Sequence, residues 1–186
     1  MKINPLSDSV LYEGASFSEW TTLNDTIMGG KSSSICNADN EGLLLSGNLI
    51  EDGGGFVSCR SPYIKPSLNL KNFSKFKLIV QGEGRTLKFA VNCDDRLFGI
   101  TELMSGGIKW ISSFPTKPNG LTIVNIPFDS LIPTIRAKKV KAPVKFNPLA
   151  VNRLQLLYSK FGEPGELNNC FKPGLIKILI KEISLE

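Results

Sequence analysis

The sequence predicts an all-β protein folded as an antiparallel β-sandwich or jelly roll. Short apolar stretches recur along the chain and are separated by turns rich in Gly, Pro and Asn, a spacing typical of such folds. No stretch carries the apolar stripe of a three-turn amphipathic helix, so helices alternating with parallel strands are not expected. The composition does not shift along the 186 residues, and a single domain over 1–186 is expected.

Nine stretches have the composition of β-strands. In chain order they are 42–49, 56–61, 76–80, 86–93, 97–100, 108–111, 121–126, 154–159 and 174–183. The stretch 86–93 alternates most regularly, with Leu87, Phe89, Val91 and Cys93 on one face. A glycine-rich turn over 51–55 separates the first two stretches, and this arrangement suggests a hairpin between them.

Composition excludes several kinds of site. The chain contains no histidine, which removes Ser-His-Asp and Cys-His nucleophilic arrangements and the commonest zinc ligand. Cys36, Cys59, Cys93 and Cys170 form no C-x-x-C pair, so free buried thiols are expected. No secretory signal or membrane-spanning apolar run is present. We therefore expect a protein of the cytoplasm or of an organelle matrix or stroma, including a membrane periphery, and not a secreted one.

Charge is distributed unevenly along the chain. Residues 1–55 carry two basic and eight acidic side chains, a net of −6, although the whole chain has a net charge of +5. The segment 130–162 carries seven basic side chains and no acidic one. This basic segment is either a solvated loop with a following strand, or a docking patch for lipid headgroups or an acidic protein. Nucleic acid is not expected as a partner, because no basic helix or aromatic RNA-binding signature accompanies the segment.

The stretch from Trp20 to Ser34 has the composition of a structured loop. Asn24 and Asp25 favour a turn, because their side chains can bond nearby backbone amides. The pattern fits either a turn that pins two strands or a polar end-loop that contacts a ligand. Trp20 is expected either in the core or as a platform for a sugar ring. The glycines at 29–30 and 53–55 are interpreted as backbone devices, because no G-K-[ST] follows them as in a phosphate loop.

Five ordered motifs resemble those of the complex I intermediate-associated protein family. The first runs from Trp20 to Ser32 and resembles the family's W-x-x-x-N-D-x-V-M-G-G-x-S signature. The others lie at 42–47, 54–61, 82–85 and 126–128, the second of these resembling G-G-F-x-S-x-R-S. The resemblance spans nearly the whole chain. It departs at Ile135-Arg136-Ala137, where an F-R-G-like element is common in the family.

The resemblance implies a fold similar to galactose-binding-like β-sandwiches. Named members of the family are assembly factors for mitochondrial respiratory complex I, and related domains act in the biogenesis of photosynthetic complexes. We therefore predict a non-catalytic interaction module that assists assembly of a respiratory or photosynthetic membrane complex, with no cofactor and no metal. Its expected partners are protein subunits of that complex and an anionic membrane surface that residues 130–162 would contact.

The alternative is a carbohydrate- or small-ligand-binding sandwich that uses Trp20 or Trp110. Catalysis is not expected, because neighbouring carboxylates such as Asp94-Asp95 fall in turns and no nucleophile, base and orienting group occur together. Arg60 is expected to pair with a carboxylate near the first loop, Asp25 being the candidate, or else to contact an anion. The candidate binding residues are Trp20, Asn24, Asp25, Met28, Arg60, Arg136, Lys138, Lys139 and Lys141.

Overall fold

Two antiparallel β-sheets make up the protein. The computed structural model describes residues 9–94 and 107–186. The strands of the first sheet are β1 (Val10–Glu13), β3 (Ser33–Asp39), β4 (Gly42–Leu49), β6 (Lys75–Gln81), β9 (Thr122–Pro127) and β13 (Gly174–Leu185). The strands of the second are β2 (Thr21–Thr22), β5 (Phe56–Arg60), β7 (Thr86–Cys93), β8 (Lys109–Pro115), β10 (Ile132–Ile135), β11 (Lys138–Lys139) and β12 (Val151–Ser159).

The six-stranded sheet has the order β3-β4-β13-β6-β9, with β1 also paired to β13. The seven-stranded sheet has the order β11-β10-β8-β7-β12-β5-β2. The only helical segments among the described residues are the 3₁₀ turns Gly14–Phe17, Asp25–Met28 and Phe128–Ser130. The predicted all-β antiparallel sandwich is confirmed.

The core lies between the sheets, where alternate side chains of each strand point inward. The strand β7 shows this period directly: Leu87, Phe89 and Val91 are fully buried, as their spacing predicts. Across the interface, the ring of Phe76 on β6 packs against that of Phe89 at a centroid distance of 5.2 Å. Side chains with the opposite parity on β7 and its neighbours face away from the core, and they form the outward face of the seven-stranded sheet.

The predicted hairpin between 42–49 and 56–61 is wrong. Both strands form, but β4 pairs with β3 and β13, whereas β5 pairs with β2 and β12. The glycine turn between them carries the chain from one sheet to the other, with positive φ at Gly53 and Gly55. Such backbone freedom suits a crossing as well as a hairpin. The predicted strand at 97–100 lies outside the described residues.

A disulfide joins the two sheets. Cys36 on β3 is bonded to Cys59 on β5, and their Cα atoms are 6.2 Å apart. The expectation of free thiols is therefore wrong for this pair, because β3 and β5 belong to different sheets and meet where the loop 20–34 folds back. Cys93 is buried and Cys170 is exposed, so the expected burial is also wrong for Cys170. Over residues 9–94 and 107–186, no helix is both long and apolar enough to cross a membrane.

Candidate functional site

Residues 20–34, here called the signature loop, fold around the carboxylate of Asp25, which is completely buried. Its Oδ1 accepts a hydrogen bond from the Ser32 backbone amide at 3.0 Å. Its Oδ2 accepts bonds from Ser32 Oγ at 2.6 Å, from the Gly55 amide at 2.7 Å and from the Phe56 amide at 3.4 Å. Ser32 precedes β3 and Gly55 precedes β5, so one carboxylate joins strands of both sheets.

The ionised form of Asp25 is favoured inside the protein. Burial raises the pKa of this carboxyl, but the hydrogen bonds donated by Ser32, Gly55 and Phe56 outweigh burial and hold the pKa below its usual range. No ion pair connects Asp25 with Arg60 among the described residues. The predicted Asp25–Arg60 pair is therefore wrong, because backbone amides and a hydroxyl already satisfy the carboxylate.

Two glycines of the family-like motifs lie so close to this buried carboxylate that a side chain would not fit there. A Cβ added at Gly54 would lie 2.5 Å from Asp25 Oδ2, and one added at Gly30 would overlap Asp25 Cγ. Gly29 ends the 3₁₀ turn with a φ of 87°, in the left-handed region that favours glycine. The N-D-x-V-M-G-G and G-G-F elements, well separated in sequence, thus meet at a single point.

The two tryptophans lie in the core. Trp20 is 4% exposed and packs edge-on against Tyr12 and Phe17, at centroid distances of 5.2 and 5.3 Å. Trp110 is 3% exposed and packs against Phe146 at 5.6 Å. Neither indole presents a face to solvent, so the interpretation of Trp20 and Trp110 as sugar platforms is wrong.

The tip of the signature loop exposes apolar side chains. Ile27 and Met28 are 65% and 70% exposed, although only Thr26 separates them from the fully buried Asp25. The side chain of Asn24 is used within the loop, since its Oδ1 accepts a hydrogen bond from Ser34 Oγ at 2.8 Å. The loop is therefore held by internal polar bonds while its tip points two large hydrophobic groups into water. We call Ile27 and Met28 the apolar tip.

The exposed basic residues lie at the other edge of the seven-stranded sheet. Strands β10 and β11 form a hairpin there, and Arg136, Lys138, Lys139 and Lys141 are all exposed. Since β11 and β2 are the first and last strands of the order, roughly 29 Å separates this hairpin from the signature loop. The structure does not bring the two groups of candidate residues together.

The departure from the family pattern falls in the tight turn of this hairpin. Arg136 and Ala137 both have positive φ, 49° and 63°. Backbone in this region favours glycine, because an L side chain is crowded there. The common F-R-G-like element would place glycine at the position of Ala137. Here alanine occupies a strained turn, and the Arg136 side chain extends into solvent.

Sequence reasoning singled out Arg60, with an anion contact as one alternative, but missed the cations near it on the outward face of the seven-stranded sheet. Arg60 on β5 faces outward opposite Gln155 on β12, and Arg153 lies two residues earlier on the same face of β12. Arg153 is opposite Asn92 on β7, which in turn is opposite Lys109 on β8. Strand parity could have placed each residue on this face, but only the strand order makes them neighbours.

Neutral groups orient these cations. Lys109 Nζ donates a hydrogen bond to Gln155 Oε1 at 2.9 Å, and Gln155 Nε2 donates to Ser58 Oγ at 2.8 Å. The Arg153 guanidinium lies over the ring of Tyr63, 3.7 Å from its centroid. Gln155 is 1% exposed, whereas Tyr63 is 60% exposed. The face thus holds its charges in fixed positions at the margin of solvent.

The pKa values of Lys88, Lys109 and Arg153 on this face shift in the direction expected for partly buried cations. Burial lowers the pKa of Lys109, and the charges of Arg60 and Arg153 lower it further. Burial, followed by the charge of Arg60, lowers the pKa of Arg153. Burial also lowers the pKa of Lys88, on the same face of β7, to about 8. Within the described ranges, no cluster of three His, Cys, Asp or Glu residues could hold a metal ion.

Comparison with known families decides the relationship of the chain. The model of the family "Complex I intermediate-associated protein 30 (CIA30)" matches residues 10–169. The chain belongs to the CIA30 family. A comparison with the sequences of curated proteins found no significant match.

Solved structures with similar folds include carbohydrate-binding modules. The family 11 module of the cellulosomal cellulase Lic26A-Cel5E of Clostridium thermocellum has a TM-score of 0.64 and 12% identity, covering 98% of this chain and 95% of that one. A family 11 module from the same organism, in complex with a mixed-linked tetrasaccharide, has a TM-score of 0.60 and 14% identity, with coverages of 90% and 88%. At these identities the likeness shows a shared β-sandwich fold.

Proposed function

We propose that this CIA30-family chain is a non-catalytic interaction module that assists assembly of a membrane complex of the respiratory complex I type, or of a photosynthetic complex. It would act by binding a protein subunit of that complex through the apolar tip of its signature loop. Membership of the family supports the class of partner. We propose the cytoplasm, or an organelle matrix or stroma next to the membrane, as its location.

The exposure of the apolar tip on an internally braced loop carries this proposal. The Asp25 carboxylate is saturated by four donated hydrogen bonds and fully buried, so it serves to hold the loop rather than to do chemistry. The same loop keeps Ile27 and Met28 in water. Adjacent exposed hydrophobic side chains on a rigid support are typical of protein-binding surfaces, and methionine adapts readily to a partner.

The basic hairpin supplies a second, electrostatic contribution to the proposal. Lys138, Lys139 and Lys141 are exposed and form no ion pair within residues 9–94 and 107–186. Exposed charges of one sign raise the rate of encounter with an anionic protein or membrane surface, and salt screens this attraction. We propose that the hairpin steers the module and that the apolar tip forms the specific contact.

The experiment is affinity purification of the tagged chain from native membranes, with mass spectrometry to identify the subunits recovered. We expect subunits of one respiratory or photosynthetic complex, with recovery reduced about tenfold or more in the double variant Ile27→Ser/Met28→Ser. The matched control is Leu175→Ser, which changes a side chain that is 83% exposed on β13. Equal recovery by the double variant and the wild-type chain, or an equal loss in the control, would contradict the proposal.

Carbohydrate binding is the second candidate function, and the fold likeness to carbohydrate-binding modules supports it. Burial of Trp20 and Trp110 removes its two predicted platforms. An exposed aromatic ring does lie beside the cations, since Tyr63 is 60% exposed and packs on Arg153. A neutral sugar is therefore included as a ligand in the binding experiment described below.

A further inference from the structure

We propose that the outward face of the seven-stranded sheet is an anion-binding site, centred on Arg60, Lys109 and Arg153, that takes a carboxylate or phosphate group carried by a small ligand. The site does not include the apolar tip, and the inference goes beyond the proposed assembly function. Three observations carry the inference: the sign of the charges on this sheet, their alignment across the strands, and their unused hydrogen-bond donors.

The seven-stranded sheet carries charge of one sign. None of its seven strands, all within the described residues, contains an Asp or a Glu. Its basic residues are Arg60, Lys88, Lys109, Lys138, Lys139 and Arg153. Like charges on neighbouring strands repel one another. The sheet keeps these cations although nothing on its own strands neutralises them.

Register aligns the outward-facing cations. Lys139 is opposite Thr134, and Thr134 is opposite Lys109. The line continues through Asn92 to Arg153 on β12. Two residues further along β12, Gln155 is opposite Arg60 on β5. Residues directly opposite in an antiparallel sheet lie on the same face. The polar side chains therefore form one row across six strands.

Arg60, Arg153 and Lys109, at the centre of the row, have N–H donors that are not used in hydrogen bonds with the described residues. Among the described residues, Nε of Arg60 and Nε of Arg153 are buried atoms that find no hydrogen-bond partner. Lys109 has three N–H donors, and the structure gives its Nζ one acceptor, Gln155 Oε1. A half-buried cation with unsatisfied donors is costly, and an oxyanion supplies both the opposite charge and several acceptor oxygens. Guanidinium groups match carboxylate and phosphate geometry with two parallel bonds.

The dimensions favour a single small anion over a long polyanion. Arg60 and Lys109 stand three strands apart, and Arg153 lies between them, so the central cations span roughly 14 Å. The Lys109 side chain extends across β7 to Gln155 on β12, the residue opposite Arg60. This contact brings the Lys109 ammonium closer to Arg60 and Arg153 than the strand spacing alone would. Tyr63, which could stack on a nucleic-acid base, already covers the Arg153 guanidinium. One carboxylate or phosphate group fits this spacing of charges.

The experiment compares three sugars that differ at a single carbon: glucose, glucuronate and glucose 6-phosphate. Each is titrated into the full chain at low salt, and binding is followed by calorimetry and by the rise in melting temperature that a ligand of the folded state produces. We expect glucuronate, glucose 6-phosphate or both to bind, and glucose to bind at least tenfold more weakly. Binding of glucuronate identifies the carboxylate as a group that the site accepts, and binding of glucose 6-phosphate identifies the phosphate.

Two row variants, Arg153→Gln and Arg60→Gln, are each expected to weaken binding of the anion about tenfold or more. Arg153→Lys retains the charge but loses the planar guanidinium that makes two parallel hydrogen bonds, and it is expected to give an intermediate affinity. The charge-matched control, Lys138→Gln/Lys141→Gln, removes two exposed cations outside the row and leaves binding unchanged. Thermal unfolding of each variant shows that it is folded.

Three results would overturn the proposal. One is an equal affinity for glucose and the anionic sugars, which would favour neutral carbohydrate binding instead. A second is an equal loss in the control and the row variants, which would indicate diffuse attraction. The third is no binding of either anion to the wild-type chain. None of these results bears on recovery of membrane-complex subunits, so failure here is distinguishable from failure of the proposed assembly function.

Discussion

The two sheets of the sandwich treat surface charge in opposite ways. In the six-stranded sheet, Lys75 and Lys77 both bind the carboxylate of Glu186, at 2.9 and 2.8 Å, and Lys181 lies 3.3 Å from Glu41. In the seven-stranded sheet, no ion pair involves a strand residue in the described part of the chain. The sheets share one core, and yet only one of them neutralises its cations.

The pKa values record the same contrast. Hydrogen bonding to Glu186 raises the pKa of Lys77, and the two lysines hold the pKa of Glu186 down to about 2. Burial lowers the pKa of Lys109 and of Lys88 on the other sheet. A raised lysine pKa means that folding favours its charge, and a lowered one means that folding opposes it. The first sheet uses its charges for stability, whereas the second retains charges that reduce it.

The largest effect is expected where the two sheets are joined. Asp25→Ala should lower the free energy of unfolding by about 3 kcal/mol, because buried donors on both sheets lose their acceptor. Urea denaturation at neutral pH measures this. The control, Asp52→Ala, removes a carboxylate that is 83% exposed and should change stability by less than about 0.5 kcal/mol.

The sign of the pH dependence follows from the lowered pKa of Asp25. Its contribution is fully present above the unfolded value of about 3.9 and is lost as the pH falls through the lower folded value. The difference in stability between the wild-type chain and Asp25→Ala should therefore shrink in acid. A difference that is small at neutral pH, or constant down to acid pH, would show that this carboxylate does not join the sheets.

An intermediate effect is expected from Lys88 in alkali. Its pKa of about 8 lies below the unfolded value of about 10.4, so the unfolded chain binds more protons between these values. Stability from this group should therefore rise from about pH 8 to pH 10, by on the order of 1 kcal/mol, and Lys88→Met should remove the rise. Lys77, with its raised pKa, contributes stability that is fully present below its unfolded value of about 10.4 and is lost only above it, so Lys77→Met should leave the rise between pH 8 and pH 10 in place.

Melting temperatures of the wild-type chain, Lys88→Met and Lys77→Met between pH 7 and 10 separate the two lysines. The difference between each variant and the wild-type chain isolates one group from all others that titrate in this range. Equal pH profiles for the Lys88→Met and wild-type chains would contradict the contrast between the sheets.

The smallest effect is expected from removing one charge on each sheet. Arg60→Gln should raise the free energy of unfolding by about 0.5 kcal/mol, because it relieves repulsion of Lys109 and Arg153. Lys77→Gln should lower the melting temperature, because it removes a partner of Glu186. Chemical denaturation of both variants in parallel measures the difference. Changes of the same sign in the two variants would remove the contrast.

Much of the fold could be predicted from local patterns. The alternation of Leu87, Phe89 and Val91 is sufficient to place β7 and its buried face, because strand parity is a property of neighbouring residues. The partner of each strand is not such a property. The glycine turn at 51–55 predicts a hairpin by proximity, but the chain crosses there to the other sheet, so the Cys36–Cys59 bond could not be foreseen either.

The candidate site divides in the same way. Asp25 and the glycines around it could be singled out from sequence, because each belongs to a contiguous motif that resembles one of the family, although the sequence does not show that the two motifs meet. The cations Lys109 and Arg153 could not, because neither stands near Arg60 in sequence and only the strand order brings them together. The sequence suggests Asp25 as the ion-pair partner of Arg60, and this is wrong because backbone amides of Ser32 and Gly55 donate to Asp25. No sequence pattern shows these hydrogen bonds.

The central position of β13 has a consequence for how the protein folds as it is synthesised. This strand pairs with β4 from Leu49 to Leu43, with β6, and with β1, although it follows all of them in chain order. Until it emerges from the ribosome, the facing edges of β4 and β6 have no partner and are open to pairing with other chains. Such distant pairing is also slow. The nascent chain therefore exposes two unpaired strand edges that β13 covers in the finished sandwich.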